Sequence, residues 1–568
     1  MKRILNWGMV ILMLAGLSDC ASGPEPADLV LINGNIYPGQ AVRIRVGGVA
    51  VHGDRVTKVG MNAEVEPYIG RKTEVIDLEG KTVLPGLIDA HGHYMSLGES
   101  LMQLDLRPQR TWEELVADVA RVAEEAGPGE WIVGRGWHQE KWDRPPEPAV
   151  EGQPVHASLS VVTPDNPVML IHVSGHGVFI NRAALERLGI NDDTPDPDGG
   201  TIVRDRDGHA TGMLRETAQD LARNAVADWR AERPPEVIEA EFRRQVELAG
   251  QEALANGITT FHDMGETFAT IDMLKVMADE GNLPVRLYVH VQEPADVLAE
   301  HLADYRMIGY GNNFLTVRAI GEKVLDGALG THGGWLLEPY ADMSTSTGFN
   351  VTPIEDIRAS ALLAEEHGFQ MAIQGIGDRA TRELLDIYEP IIHRQPGQSD
   401  LRWRIEHCQV IHPDDLVRFP DLHVYFSIRG IFATSDGPWV VDRLGEVRTR
   451  ERGYQYRRMF EVGGMVINGT DPPVEDIANF HATVTRFMPD GTVFQPEQRL
   501  TREQALMTCT VNPAFAGFEE NLKGTLKVGK LADLTILSQD IMTVPEDRIL
   551  DSVVVFTIIG GEVRYRRR

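Results

Sequence analysis

The sequence predicts an α/β protein: a (β/α)8 barrel, a small β-sandwich assembled from both chain ends, and a lid or subdomain inserted over the barrel mouth. Three observations carry this expectation. Both ends of the chain consist of short β-rich runs separated by turns, the long middle alternates helix with strand, and one stretch from about Met95 to Arg215 is too long for a single β/α unit. A chain of 568 residues with 42% hydrophobic and 24% charged residues has ample material for such a core. Its formal net charge of -29 argues against nucleic acid or an anionic membrane surface as the main partner, because both would repel it.

In chain order, residues 1–20 come first and stand apart. Lys2 and Arg3 precede an apolar stretch from Ile4 to Leu17, the order of a secretory signal and too short for a spanning helix. Leu17, Ser18, Asp19 and Cys20 resemble a bacterial lipobox, with Asp19 departing from the small residue usual there. The expected location is periplasmic or outer-membrane, with a membrane tether through lipidated Cys20. Beyond it only Cys408 and Cys509 remain, so no disulfide framework is expected.

Residues 27–83 alternate β-rich runs with the turn pairs Asn33-Gly34 and Gly53-Asp54, and residues 511–568 repeat the pattern; together they are expected to build the composite sandwich. The barrel is expected over 84–510, with the insertion at about 95–215. Helical stretches such as EVIEAEFRRQVELAGQEALANG lead into short apolar runs such as ITTFHDMG, and Asn256-Gly257 marks one such junction. No G-x-G-x-x-G follows a strand, so no phosphate-cradling loop is expected.

The chemistry is expected at the C-terminal ends of barrel strands. The run VLPGLIDAHGHY ends the first strand in His91 and His93, two residues apart and therefore on one face, with Gly92 between them allowing close approach. Later apolar runs end in His262, Lys323, Gln374, His407 and Asp471, a set rich in metal-ligand types. Singly, each of these has a plain structural reading; in series they point to a metal site.

The stretches LPGLIDAHGH, GGTIVRDRDGHATGMLRETA, GITTFHDMG, EKVLDGALGTHGGWLLEPY, IGDRA, RIEHCQVI, ATSDGPW, NGTDPPVE and GTLKVGKLADL occur in an order that resembles the amidohydrolase superfamily, in particular its family 3 and the N-substituted formamide deformylase-like branch. The resemblance implies a metal-dependent hydrolase that cleaves an amide or cyclic amide C–N bond of a small molecule by attack of metal-bound hydroxide, with ester or lactone cleavage as an alternative. It implies His91, His93, His407 and Asp471 as ligands of a divalent metal such as Zn²⁺, Lys323 as a carbamylated bridging ligand, and Asp471 and Lys323 as the catalytic groups. Gln374 stands where the family pattern has His, which leaves the count at one or two ions and admits a degenerate binding lipoprotein as a further alternative. Arg429, where a Gln-Pro pair is usual, offers a cation for a substrate carboxylate, or a structural salt bridge. In the insertion Trp137, His176 and Glu216 are candidate substrate contacts, with His172, His138 and Arg215 beside them.

Overall fold

The computed structural model describes residues 24–39, 44–394, 400–471 and 474–568. The export signal and Cys20 lie outside these residues. Among the described residues no helix is long and apolar enough to cross a membrane.

Eight parallel strands form the barrel: β1 (Leu87–Gly92), β2 (Ile258–Glu266), β3 (Arg286–Val291), β4 (Leu315–Val324), β5 (Gln370–Gly375), β6 (Arg404–His407), β7 (Tyr425–Ile428) and β8 (Val466–Asn468). Their spatial order is their chain order. Such strands are covered on both sides, which is why they read as almost unbroken apolar runs: Leu287, Val289, Val317, Ile373, Ile405 and Phe426 are all buried. The ring closes between β8 and β1 just past the last ladder residue. There Asp471 N donates to His91 O (3.0 Å), and the buried Asp89 carboxylate accepts from Thr470 N (3.0 Å) and Thr470 Oγ1 (2.6 Å). Gly469 permits this closure, because a Cβ there would lie 2.3 Å from His91 N.

Both chain ends share one branched mixed sheet. Leu534–Leu537 pairs with Thr82–Pro85, which lies next to Leu29–Ile36, while Val554–Ile559 and Glu562–Arg566 extend the other edge. Its apolar face is built from Leu31, Ile36, Val49, Val51, Leu534, Ile536 and Ile558. The sheet grips the barrel through buried polar contacts: Arg286 of β3 is bidentate to Asp533 (2.8 and 3.0 Å), and Thr535 Oγ1 donates to Gly257 O (2.5 Å). Helix Pro235–Ala255 does close at Asn256-Gly257 before β2 opens, with Gly257 at φ 83° against Thr535.

Between β1 and that helix lies a separate six-stranded sheet running from Leu104 to Glu216, flanked by helices such as Trp112–Ala123 and Arg182–Leu188. Trp112, Leu115, Trp137, Trp142, Leu170 and Phe179 form its own core. Short helix Tyr94–Met102 connects it directly to His93.

Candidate metal centre

His91 lies on the last turn of β1, and His93 follows one residue beyond it. Their rings stand edge to face at 5.5 Å, and the His407 ring from the end of β6 packs on His91 at 5.4 Å. Gly92 between the two histidines serves packing, since a Cβ there would meet the Phe261 ring at 2.4 Å, so its opening is filled by protein rather than ligand. His407 and Asp471 adopt φ of 70° and 55°. That left-handed turn breaks strand alternation, so Glu406 and His407 both reach the barrel axis.

Five side chains converge. Glu322 Oε2 is 3.6 Å from His91 Nε2 and 3.9 Å from His93 Nε2, and Glu322 Oε1 is 3.4 Å from His407 Nε2. Asp471 lies 3.8 Å from His93 Nε2, 3.8 Å from His407 Nε2 and 3.9 Å from His91 Nε2. Donors bonded to one zinc ion at about 2.1 Å stand about 3.0–3.5 Å apart, so either triad, His91 with His407 and Asp471 or His91 with His93 and Glu322, needs only modest contraction around a cation. Two observations independent of spacing agree with that fit. His91 Nε2 and Glu322 Oε1 are buried without a hydrogen-bond partner, an arrangement that is costly unless something binds there. Burial first, then the Arg429 charge, hold His91 well below the ordinary imidazole range and bring His407 down to about 3, so both rings are neutral donors at physiological pH. Burial and then the nearby Glu406 push Glu322 up to about 8, so its charged form is held near neutral pH only when a cation sits beside it.

Beneath the cluster a buried ionic layer fixes His91. Its Nδ1 donates to Glu406 Oε2 at 2.8 Å. Glu406 is fully buried, yet Arg404, His91 and Arg429 overcome the burial penalty and hold its carboxyl well below the usual range. Arg404 Nε donates to Glu406 Oε1, while its Nη2 donates to Ala90 O at 2.5 Å. Such a carboxylate sets the tautomer of a ligand histidine, leaving Nε2 free to face a metal.

Other sequence candidates lie elsewhere. Lys323 does not enter the cluster. Adjacent strand residues point to opposite faces, so with Glu322 inward Lys323 points outward, where its Nζ meets Asp356 Oδ2 at 2.6 Å. Gln374 is also outside it, its Nε2 donating to Asp326 O at 2.5 Å. Arg429 does not stand at an open mouth: it is wholly buried, donating to Glu406 Oε2 (2.9 Å), Ser427 Oγ (3.1 Å) and Ile428 O (2.9 Å). His262 is buried below the cluster, bonded to Arg404 and stacked on Tyr288 at 4.7 Å. In the insertion Trp137 is a core residue donating to Leu170 O, and His176 pairs with Glu216 at 3.1 Å on the exposed side. Arg215 pairs with Glu151 at 2.7 Å. His172 packs on Trp137 and, with Ser96, Arg135, Ser174 and Arg223, lines a cavity of about 390 Å³ between the insertion and helix Tyr94–Met102.

Glu322 and Glu406 escape a reading that takes only the last polar residue of each apolar run, since each is followed at once by a more conspicuous Lys323 or His407. Alternation from Arg404 signals Glu406, whereas Glu322 has no such signal, because the register shift between Ile320 and Lys323 breaks the alternation of β4.

Comparison with known proteins agrees with this architecture. A model of the amidohydrolase family matches residues 74–565. The chain is 30% identical to protein LONG AFTER FAR-RED 3 of Arabidopsis thaliana over 95% of its length and 92% of that protein. It is 28% identical to N-substituted formamide deformylase of Arthrobacter pascens, over 95% and 98% of the two chains. Among solved structures, an uncharacterized metal-dependent hydrolase from Pyrococcus horikoshii superimposes with a TM-score of 0.73 at 27% identity, covering 91% of this chain and 99% of that one. With a matching barrel, a two-ended sheet and ligand-type side chains gathered at the strand ends, the chain belongs to the amidohydrolase family.

Proposed function

We propose that this protein is a metal-dependent hydrolase that cleaves the C–N bond of a small amide. The observation that carries the reading is the convergence of His91, His93, Glu322, His407 and Asp471 around buried, unpartnered donor atoms. The similarity to an N-substituted formamide deformylase and to a metal-dependent hydrolase supports it.

When bound, a divalent ion supplies Lewis acidity toward the scissile carbonyl and acidifies water near neutral pH. The chain's own groups do the rest. His91, His93, His407 and Glu322 would hold the ion, and Glu406 fixes the His91 ring so that only Nε2 is offered. Asp471 is the one carboxylate of the group with its side chain partly open to the cleft, at 14% exposure, so it is placed to take a proton from the attacking water and return it to the departing nitrogen. His93, 35% exposed, marks the side from which substrate arrives. We also propose export, supported by the Lys2–Leu17 pattern, and lipidation at Cys20, supported by the lipobox-like run Leu17 to Cys20; loss of label from Cys20→Ser in cells fed radioactive palmitate tests it.

The activity test is a panel of N-formyl and N-acyl amines beside matched esters, assayed with zinc-loaded protein and with His91→Ala. Amide turnover lost in the variant supports the reading. Ester turnover alone shifts it to the ester or lactone alternative. A protein that retains no transition metal and turns over neither series is a binding protein instead.

A further inference from the structure

The cluster could be thought to hold two ions, since His91, His407 and Asp471 make one triad and His91, His93 and Glu322 make another. Both triads use the same His91 atom. Its Nδ1 is committed to Glu406 at 2.8 Å, which leaves only Nε2, and one imidazole nitrogen has a single lone pair for a single ion. A second ion would therefore need donors of its own. On β5 the neighbouring position is Gln374, whose amide is tied to Asp326 O. On β7 it is a cation: the Arg429 guanidinium is wholly buried, with Nε lacking a hydrogen-bond partner and lying 4.0 Å from Asp471 Oδ2. Its other nitrogens are anchored on Glu406, Ser427 and Ile428 O, so it cannot swing away.

We propose that the centre holds one divalent ion, and that Arg429 supplies permanently the second positive charge beside Asp471 while keeping a second ion out. This rests on the metal-dependent reading above. The cation's role is positional and electrostatic: its Nε lies 4.0 Å from Asp471 Oδ2, and being wholly buried it touches no substrate. A guanidinium cannot be deprotonated or chelated away, so this charge persists at any metal supply.

The test counts ions by native mass spectrometry after loading purified chains with zinc chloride and desalting. Wild type is expected to carry one ion per chain. Gln374→His, which supplies the missing imidazole, is expected still to carry one, because Arg429 remains. Gln374→His combined with Arg429→Met is expected to carry two, and combined with Arg429→Lys to return to one. Two ions in wild type, or in Gln374→His alone, overturn the proposal; one ion in the folded Gln374→His, Arg429→Met protein overturns Arg429's part in it. If that double variant does not fold, Gln374→His combined with Arg429→Gln, which removes the charge but keeps a hydrogen-bonding amide, is expected to carry two ions, and one ion there overturns Arg429's part. Zero zinc in wild type would instead remove the metal-dependent reading itself.

Discussion

Replacing Glu406 by Gln changes almost no volume and removes one charge, which makes it the sharpest probe of how the centre is held. The carboxylate accepts from Arg404 Nε on one oxygen and from both His91 Nδ1 (2.8 Å) and Arg429 Nη2 (2.9 Å) on the other. A Gln side chain offers one accepting oxygen and one NH2 group, so at least one donor meets another donor whichever way the amide is turned. Removing one partner of a buried ionic group costs about 3–5 kcal/mol, because the remaining charges stay buried and uncompensated. Here two guanidinium groups, both 0% exposed, are left facing a neutral amide, so the expected loss lies toward the upper end of that range. Disturbing a carboxylate that orients a ligand histidine also weakens metal affinity about 10–100-fold. The assay is denaturant unfolding of Glu406→Gln with and without zinc, alongside competition for zinc with a chromophoric chelator. A loss below about 1 kcal/mol together with unchanged zinc affinity would refute the idea that this layer sets the site.

Other outcomes follow from the same geometry. Glu322→Gln is expected to lower zinc affinity about tenfold or more, whereas Lys323→Met leaves it unchanged, and a peptide mass spectrum is expected to show Lys323 without a carbamate. Gly469→Ala is expected to lose about 1–3 kcal/mol or more, since its Cβ would meet the backbone of His91, which cannot yield as a flexible side chain can; an unchanged melting temperature would count against it. Burial raises Asp89 from 3.8 to about 6, against hydrogen bonds from Thr470 and His91. A carboxyl raised in the folded state contributes stability below its unfolded pKa and loses it as pH climbs through the folded value. Asp89→Asn is therefore expected to gain on wild type between about pH 4 and pH 6, read as a growing difference in unfolding midpoint; a constant difference across that window would refute the assignment.

The barrel was readable because its strands are covered on both faces and so appear as compact apolar runs between amphipathic helices. The same runs mark their own ends, which is how His91, His93, His407 and Asp471 stand out. What was not readable is phase. Glu322 and Lys323 are neighbours, and either could face inward until the packing of all eight strands fixes the register of β4. Arg429 shows the same limit: a cation at a strand end looks like a mouth residue until Glu406, which alternation places inward with Arg404, draws it inside. Gln374 presents a third case, where the residue type announced a departure but only its bond to Asp326 O reveals where the amide goes. The insertion was visible as excess length, and its Trp content proved to be its core rather than a substrate wall.

The pairing of Thr82–Pro85 with Leu534–Leu537 has a consequence for biosynthesis. Strand Thr82–Pro85 leads directly into β1, and its partner leaves the ribosome some 450 residues later, a separation readable from the numbering. Until then one edge of that strand has open N–H and C=O groups, and Arg286 on β3 waits for Asp533. A nascent chain in this state has both an adhesive strand edge and an unneutralised guanidinium destined for burial. Ribosome-bound intermediates should therefore depend heavily on holdase chaperones, and strand-specific protease protection near residue 84 should appear only after the last strands have been released.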